Sequence, residues 1–167
     1  MVQIMNIKLL ILDVDGTLTD GKIYMSDTGE AFKAFSIKDG YIIKHILPKY
    51  GITPVVITGR YSKIVENRCK EIDILHCYQN CTNKIEKLKE VADSFGLSSD
   101  GKKRYKEIAY IGDDLNDLEA MSLCSFVGCP CNACKEVKAA SDYVSPYEGG
   151  HGAVRDILEY MTEQALF

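Results

Sequence analysis

Two aspartates, Asp13 and Asp15, stand at the end of the apolar run 7–14 and are followed by Gly16 and Thr17. In an extended segment such a pair lies on one face, roughly 6–7 Å apart. One carboxylate can then attack an electrophile while the other manages protons for the leaving group and for water. Residues 55–60 end in Thr58-Gly59-Arg60, which offers a hydroxyl, a glycine for close approach and a guanidinium. Residues 112–117 supply a dense acidic cluster, Asp113, Asp114, Asn116 and Asp117, and Lys84 opens a helix-like segment from which its ammonium can reach over. Crowded carboxylates repel unless a hard cation holds them, and Mg²⁺ takes such oxygen ligands while keeping some waters. The chemistry that suits these groups is phosphoryl transfer to water through an aspartyl phosphate on Asp13, with Thr58, Lys84 and backbone amides neutralising the phosphate. Metal contact would keep Asp13 ionised, while Asp15, away from the metal, could carry the proton. Taken singly, each piece also reads as a turn, a helix cap or a solvated charge.

The elements that must position these residues alternate. Strand-like runs at 7–14, 53–57, 74–78 and 108–111 are separated by helix-like segments at 38–50, 62–71, 83–95 and 115–123. Short strands are expected at 125–127 and 143–144, a closing helix at 153–164 and a polar loop at 96–104. A hairpin is expected from strands 23–25 and 31–35 around the turn Ser26-Asp27-Thr28-Gly29. This alternation implies an α/β fold, a Rossmann-like open parallel sheet with helices on both faces. In such folds ligands bind at the carboxyl ends of the strands, where Asp13, Asp15, Thr58 and Asp113 all fall.

Bulk composition fits one globular domain over residues 1–167. The apolar fraction is 46%, the charged fraction 26% and the net charge −4, with no basic block. Nucleic acid is thus not an expected partner. No apolar run approaches a membrane span and residues 1–6 lack signal-peptide character, so a cytoplasmic location without membrane contact is expected. The seven cysteines then read as reduced thiols. Cys124, Cys129, Cys131 and Cys134 form one tight group, unlike the two separated knuckles of a zinc site, and Cys77 and Cys81 have no partner pair.

The ordered set Asp13-Val14-Asp15-Gly16-Thr17, Thr58, Lys84 and Gly112-Asp113-Asp114 with Asp117 resembles the haloacid dehalogenase superfamily of phosphohydrolases. The resemblance implies catalytic roles for Asp13, Asp15, Thr58 and Lys84. It implies Mg²⁺ held by the Asp13 carboxylate, the Asp15 backbone carbonyl and Asp113, with Asp114 and Asp117 in support. Only 19–37 and 61–83 are free for insertions, so the chain is similar to capless members with a hairpin flap at about 20–36. The stretches "DGKIYMSDTGEAFKAFSIKDGYIIKHIL", "CTNKIEKL" and "GGHGAVRDIL" resemble the branch that dephosphorylates keto-sugar acids and serves lipopolysaccharide biosynthesis. Arg60 after Thr58-Gly59 points to an octulosonate 8-phosphate. A nononate 9-phosphate or another sugar phosphate is the alternative, and a non-catalytic assembly module is the rival of another class. A substrate that is both phosphate and carboxylate suits Arg60, Arg68 and Lys38, with Asp39, Gly40, Gly59 and Asn116 as further candidate contacts. The apolar hairpin residues Ile23, Tyr24, Met25, Phe32 and Phe35, together with the resemblance, imply a homotetramer.

Overall fold

The computed structural model describes residues 6–99 and 104–166. The expected loop at 96–104 therefore lies outside the described residues at 100–103, as does the terminal reading at residues 1–5. In chain order the strands are β1 (Leu9–Leu12), β2 (Tyr24–Ser26), β3 (Gly29–Phe32), β4 (Thr53–Ile57), β5 (His76–Tyr78), β6 (Tyr105–Ile111), β7 (Cys124–Cys129) and β8 (Tyr143–Val144). The helices are α1 (Ile37–His45), α2 (Lys63–Glu71), α3 (Lys84–Ser94), α4 (Leu118–Met121), α5 (Lys135–Ala140) and α6 (Ala153–Glu163). Six strands form one parallel sheet in the order β5-β4-β1-β6-β7-β8, and β2 and β3 form the separate hairpin.

Strand β1 is the spine. Leu9–Leu12 pairs in register with Thr53 to Val56 on one side and Ile108 to Ile111 on the other. Its four side chains are fully buried because both faces are covered, and they alternate between two cores. Leu10 and Leu12 face Ile42 and Ile43 of α1, Val65 of α2 and Ile157 of α6. Leu9 and Ile11 face Leu88 and Val91 of α3, Met121 of α4 and Val137 of α5. Each such side chain contributes roughly 1.5–3 kcal/mol by leaving water.

Several elements differ from the sequence reading for local reasons. The helix expected over 38–50 stops at His45 and continues as a 3₁₀ turn, Leu47–Tyr50, in which Pro48 lacks the donor an α-helix needs. The 115–123 segment opens as the 3₁₀ turn Leu115–Asp117, closed by reciprocal capping between Asp114 and Asp117. Helix α5, which falls in the cysteine-rich stretch, carries no strong periodic signal in six residues. The thiols of that stretch form no metal-type cluster among the described residues.

Asp39, expected at the substrate, is buried at 1% exposure inside α1. Its Oδ1 accepts the Arg155 backbone N–H at 2.9 Å and its carboxylate also takes the Gly152 N–H, so it caps α6. Oδ2 has no partner. Burial raises its carboxyl to about 6, against the pull of those two amides. A carboxyl with a raised folded pKa stabilises at low pH and loses that contribution as pH climbs through the folded value. Relative to Asp39→Asn, which keeps an acceptor but cannot ionise, wild-type stability is expected to fall by on the order of 2 kcal/mol between pH about 4 and about 6. Urea unfolding of both proteins across that range measures it, and a pH-independent difference would contradict it.

Candidate active site

The polar residues past β1, β4 and β6 are locked to neighbouring strands by backbone hydrogen bonds. Asp13 N–H donates to Ile111 O at 3.1 Å, Thr58 N–H to Tyr78 O at 3.0 Å and Gly112 N–H to Gly128 O at 3.3 Å. The side chains therefore leave the sheet from fixed points. At Gly16, φ is 93° and a Cβ would lie 2.1 Å from Asp113 Oδ2. Only glycine lets the chain turn this tightly against that carboxylate.

The Lys84 ammonium bridges Asp13 Oδ1 and Asp117 Oδ1, each at 2.7 Å, and its side chain is only 2% exposed. One carboxylate oxygen each from Asp13, Asp113 and Asp117 falls within 4.8 Å of the others. Asp117 is saturated: Oδ1 also accepts from Tyr110 Oη at 2.7 Å, and Oδ2 accepts the Asp113 and Asp114 amides at 3.1 and 3.3 Å. Asp113 Oδ1 accepts from Thr17 Oγ1 at 3.0 Å. Three carboxylates thus crowd around one ammonium that pairs with only two of them. Burial, reinforced by the Asp117 charge and opposed by Lys84, pushes Asp13 up to about 8. Burial likewise raises Asp113 to about 6, with Thr17 opposing. An all-oxygen donor set with this charge deficit fits a hard divalent cation, whose binding would return both groups to their ionised forms.

Above this cluster lies a pocket of about 140 Å³ lined by Asp13, Asp15, Thr58, Gly59, Arg60, Asp114 and Asn116. A methyl at Gly59 would meet only ordinary contacts, 3.8 Å from Cys81 O, so glycine there keeps the floor open instead of answering a packing demand. The pocket is smaller than the roughly 300 Å³ and upward typical of sites that enclose a drug-sized ligand. Clefts of about 330 and 370 Å³ run along α1 and α6. They lack the convergent carboxylates, so the smaller pocket is the chemical one.

Three expected substrate contacts are committed elsewhere within one chain, and a fourth lines another cleft. Asp39 caps α6. Arg68 donates to Ser36 O at 3.1 Å and to Glu71 Oε2 at 2.8 Å, with its guanidinium carbon 5.6 Å from the Phe35 ring centroid. Gly40 exists to admit that guanidinium, since a Cβ would lie 2.4 Å from Arg68 Nη2. Lys38 lines the α6 cleft with His151 and Arg155.

A family model for haloacid dehalogenase-like hydrolases matches residues 56–158. The chain is 38% identical over 156 residues to a 3-deoxy-D-manno-octulosonate 8-phosphate phosphatase from Salmonella typhi, covering 93% of this chain and 79% of that protein. The chain belongs to the haloacid dehalogenase-like hydrolases. Within that family its fold is similar to the 3-deoxy-D-manno-octulosonate 8-phosphate phosphatase of Moraxella catarrhalis, solved in complex with magnesium, phosphate and KDO. That match has a TM-score of 0.87 at 37% identity and covers 96% and 88% of the two chains. The cobalt-bound form of a deoxy-D-mannose-octulosonate 8-phosphate phosphatase from Haemophilus influenzae gives a TM-score of 0.87 at 33% identity, with 97% and 91% covered.

In this hydrolase several site residues escape a motif-based reading. Tyr110 sits in the fully buried run 108–111, and its phenol among aliphatic side chains there is the available signal. Glu30, Lys33 and Ser62 belong to a hairpin and a helix start, where charged and hydroxyl residues are commonplace, and nothing in their spacing sets them apart.

Proposed function

We propose that this chain is a Mg²⁺-dependent phosphomonoesterase acting on a keto-sugar acid phosphate, 3-deoxy-D-manno-octulosonate 8-phosphate first among them. The observation that carries the reading is the set of buried Asp13, Asp117 and Lys84 with half-buried Asp113, beneath a pocket walled by Asp15, Thr58 and Arg60. The names of the similar phosphatases supply the substrate. Asp13, the Asp15 backbone carbonyl and Asp113 would hold the cation. Asp117, its lone pairs taken, supports Lys84 and the Asp113 backbone, and Asp114 closes the turn. The bound cation supplies charge neutralisation for the phosphate and its attacking carboxylate.

Asp13 attacks phosphorus and displaces the sugar alkoxide, which takes a proton from Asp15. Water then attacks the aspartyl phosphate, returning a proton to Asp15 and releasing inorganic phosphate and the Asp13 carboxylate. Lys84 and Thr58 stabilise the phosphoryl oxygens. A pocket of this size takes the phosphate and leaves the sugar acid at the rim, where Arg60 (with Gly59 and Asn116 beside it) meets it.

The exposed rim suits completion by a neighbouring chain. Ile23, Met25 and Phe32 of the hairpin are 47%, 65% and 54% exposed, and Tyr24 stacks on Phe32 with centroids 4.3 Å apart. Apolar surface of this kind marks an interface, and a homotetramer that brings Arg68 or Lys38 of one chain to the site of another is the assembly we propose. Among the described residues no helix is long and apolar enough to cross a membrane. The seven cysteines are free thiols, which suits the cytoplasm.

Light scattering is expected to report a tetramer that dissociates with loss of turnover when Ile23 and Phe32 are replaced by charged residues. A fully active monomer would contradict the assembly. Phosphate release from octulosonate 8-phosphate and nononate 9-phosphate, compared by kcat/KM with Mg²⁺ present, tests the activity, which EDTA and Asp13→Asn are expected to abolish. Arg60→Ala should lower kcat/KM for the preferred sugar acid phosphate by about 100-fold while sparing p-nitrophenyl phosphate, as loss of a charged hydrogen bond at a recognition site does. Equal losses on both substrates would assign Arg60 to the phosphate instead.

A further inference from the structure

The hairpin sends two charged side chains back into the pocket wall. Lys33 directly follows β3, and its side chain is only 2% exposed. Its ammonium lies 2.5 Å from Asp15 Oδ1 and 2.9 Å from Glu30 Oε1. Glu30 Oε2 accepts the hydroxyl of Ser62, the residue before α2. Arg60 completes the circuit, with Nη1 3.9 Å from Asp15 Oδ2 and Nη2 3.8 Å from Glu30 Oε1. Two carboxylates and two cations alternate around this ring, and the ring joins β1, the hairpin, the β4 loop and the start of α2.

A lysine rarely buries its ammonium for packing alone, because desolvation of the charge costs several kcal/mol. Here the ammonium meets two carboxylates at hydrogen-bond distance, and one of them is the Asp15 side chain to which the proton-transfer role falls. We propose that Lys33 is a positioning residue for the reaction: it fixes the Asp15 carboxylate through Oδ1 and leaves Oδ2 toward Arg60 and the leaving group. Glu30, held by Ser62, fixes Lys33 in turn. The inference rests on the proposed roles of Asp13 and Asp15. Lys33 itself exchanges no proton with substrate. The Asp13–phosphorus bond forms, the ester P–O bond breaks and the alkoxide takes its proton from Asp15, whose reach to that oxygen depends on Lys33.

Leaving groups separate this role from a structural one. A sugar alkoxide must be protonated as it departs, whereas p-nitrophenolate leaves as a stable anion. Lys33→Met is expected to lower kcat on the sugar acid phosphate by about 100-fold, within the usual share of general acid catalysis, with KM little changed. The pre-steady-state release of p-nitrophenolate should fall far less, and Lys33→Arg should recover most of the loss. Equal losses on the two leaving groups, or a loss confined to KM, would overturn the positioning role while leaving the phosphatase reading intact. Absence of wild-type turnover would overturn both. Should Lys33→Met fold poorly, Glu30→Gln provides the second test: the same leaving-group dependence at smaller amplitude supports the proposal, and uniform loss overturns it.

Discussion

The Lys84 ammonium, buried between Asp13 and Asp117 at 2.7 Å from each, constrains most of what surrounds it. Removing one partner of such a buried pair costs roughly 3–5 kcal/mol because the other charge is stranded. The pair therefore ties the start of α3 to the end of β1 and to the turn after β6. Those attachments hold only if β1 and β6 are neighbours in register, which the ladder from Leu9–Ile108 to Leu12–Ile111 provides. Asp113 adds a third carboxylate that Lys84 does not neutralise, and the raised positions of Asp13 and Asp113 express that imbalance. The same imbalance makes the site receptive to a divalent cation and, with it, to a phosphate.

How far this was legible in the sequence depended on whether a residue announces itself by its neighbours. Asp13 and Asp15 follow a continuous apolar run, and Asp113 follows another, so carboxylates at strand ends stood out against hydrophobic context. The parallel sheet followed from the alternation of segments, and β1 and β4 fell where the pattern put them. Lys33 and Glu30 gave no such contrast. They lie in a hairpin that mixes polar and apolar residues, and only the return of that hairpin over β1 places them against Asp15 and Arg60. Arg68 and Asp39 show the converse: their charges suggest a ligand, while within the chain tertiary packing uses one to brace the hairpin base and the other to cap α6.

The hairpin combines polar anchors with exposed apolar side chains. Lys33 and Glu30 bind it to Asp15 and Ser62, while Ile23, Met25 and Phe32 are exposed. An isolated two-stranded hairpin has marginal stability, and the contacts of Lys33 and Glu30 give this one an anchor on its own chain. The homotetramer proposed above would bear on the same strand, which carries Glu30 and precedes Lys33.

Uncompensated negative charge among Asp13, Asp113 and Asp117 suits this site to a divalent cation. Thermal unfolding of wild-type protein and Asp113→Asn, each titrated with MgCl₂, addresses it without reference to turnover. Asp113→Asn is expected to unfold at a higher temperature than wild type without metal, since one charge of the crowded cluster is gone. Mg²⁺ is expected to raise the wild-type midpoint progressively, as a ligand of the folded state must, and to leave the variant nearly unmoved. A wild-type midpoint indifferent to Mg²⁺, or an equal rise in both proteins, would contradict it.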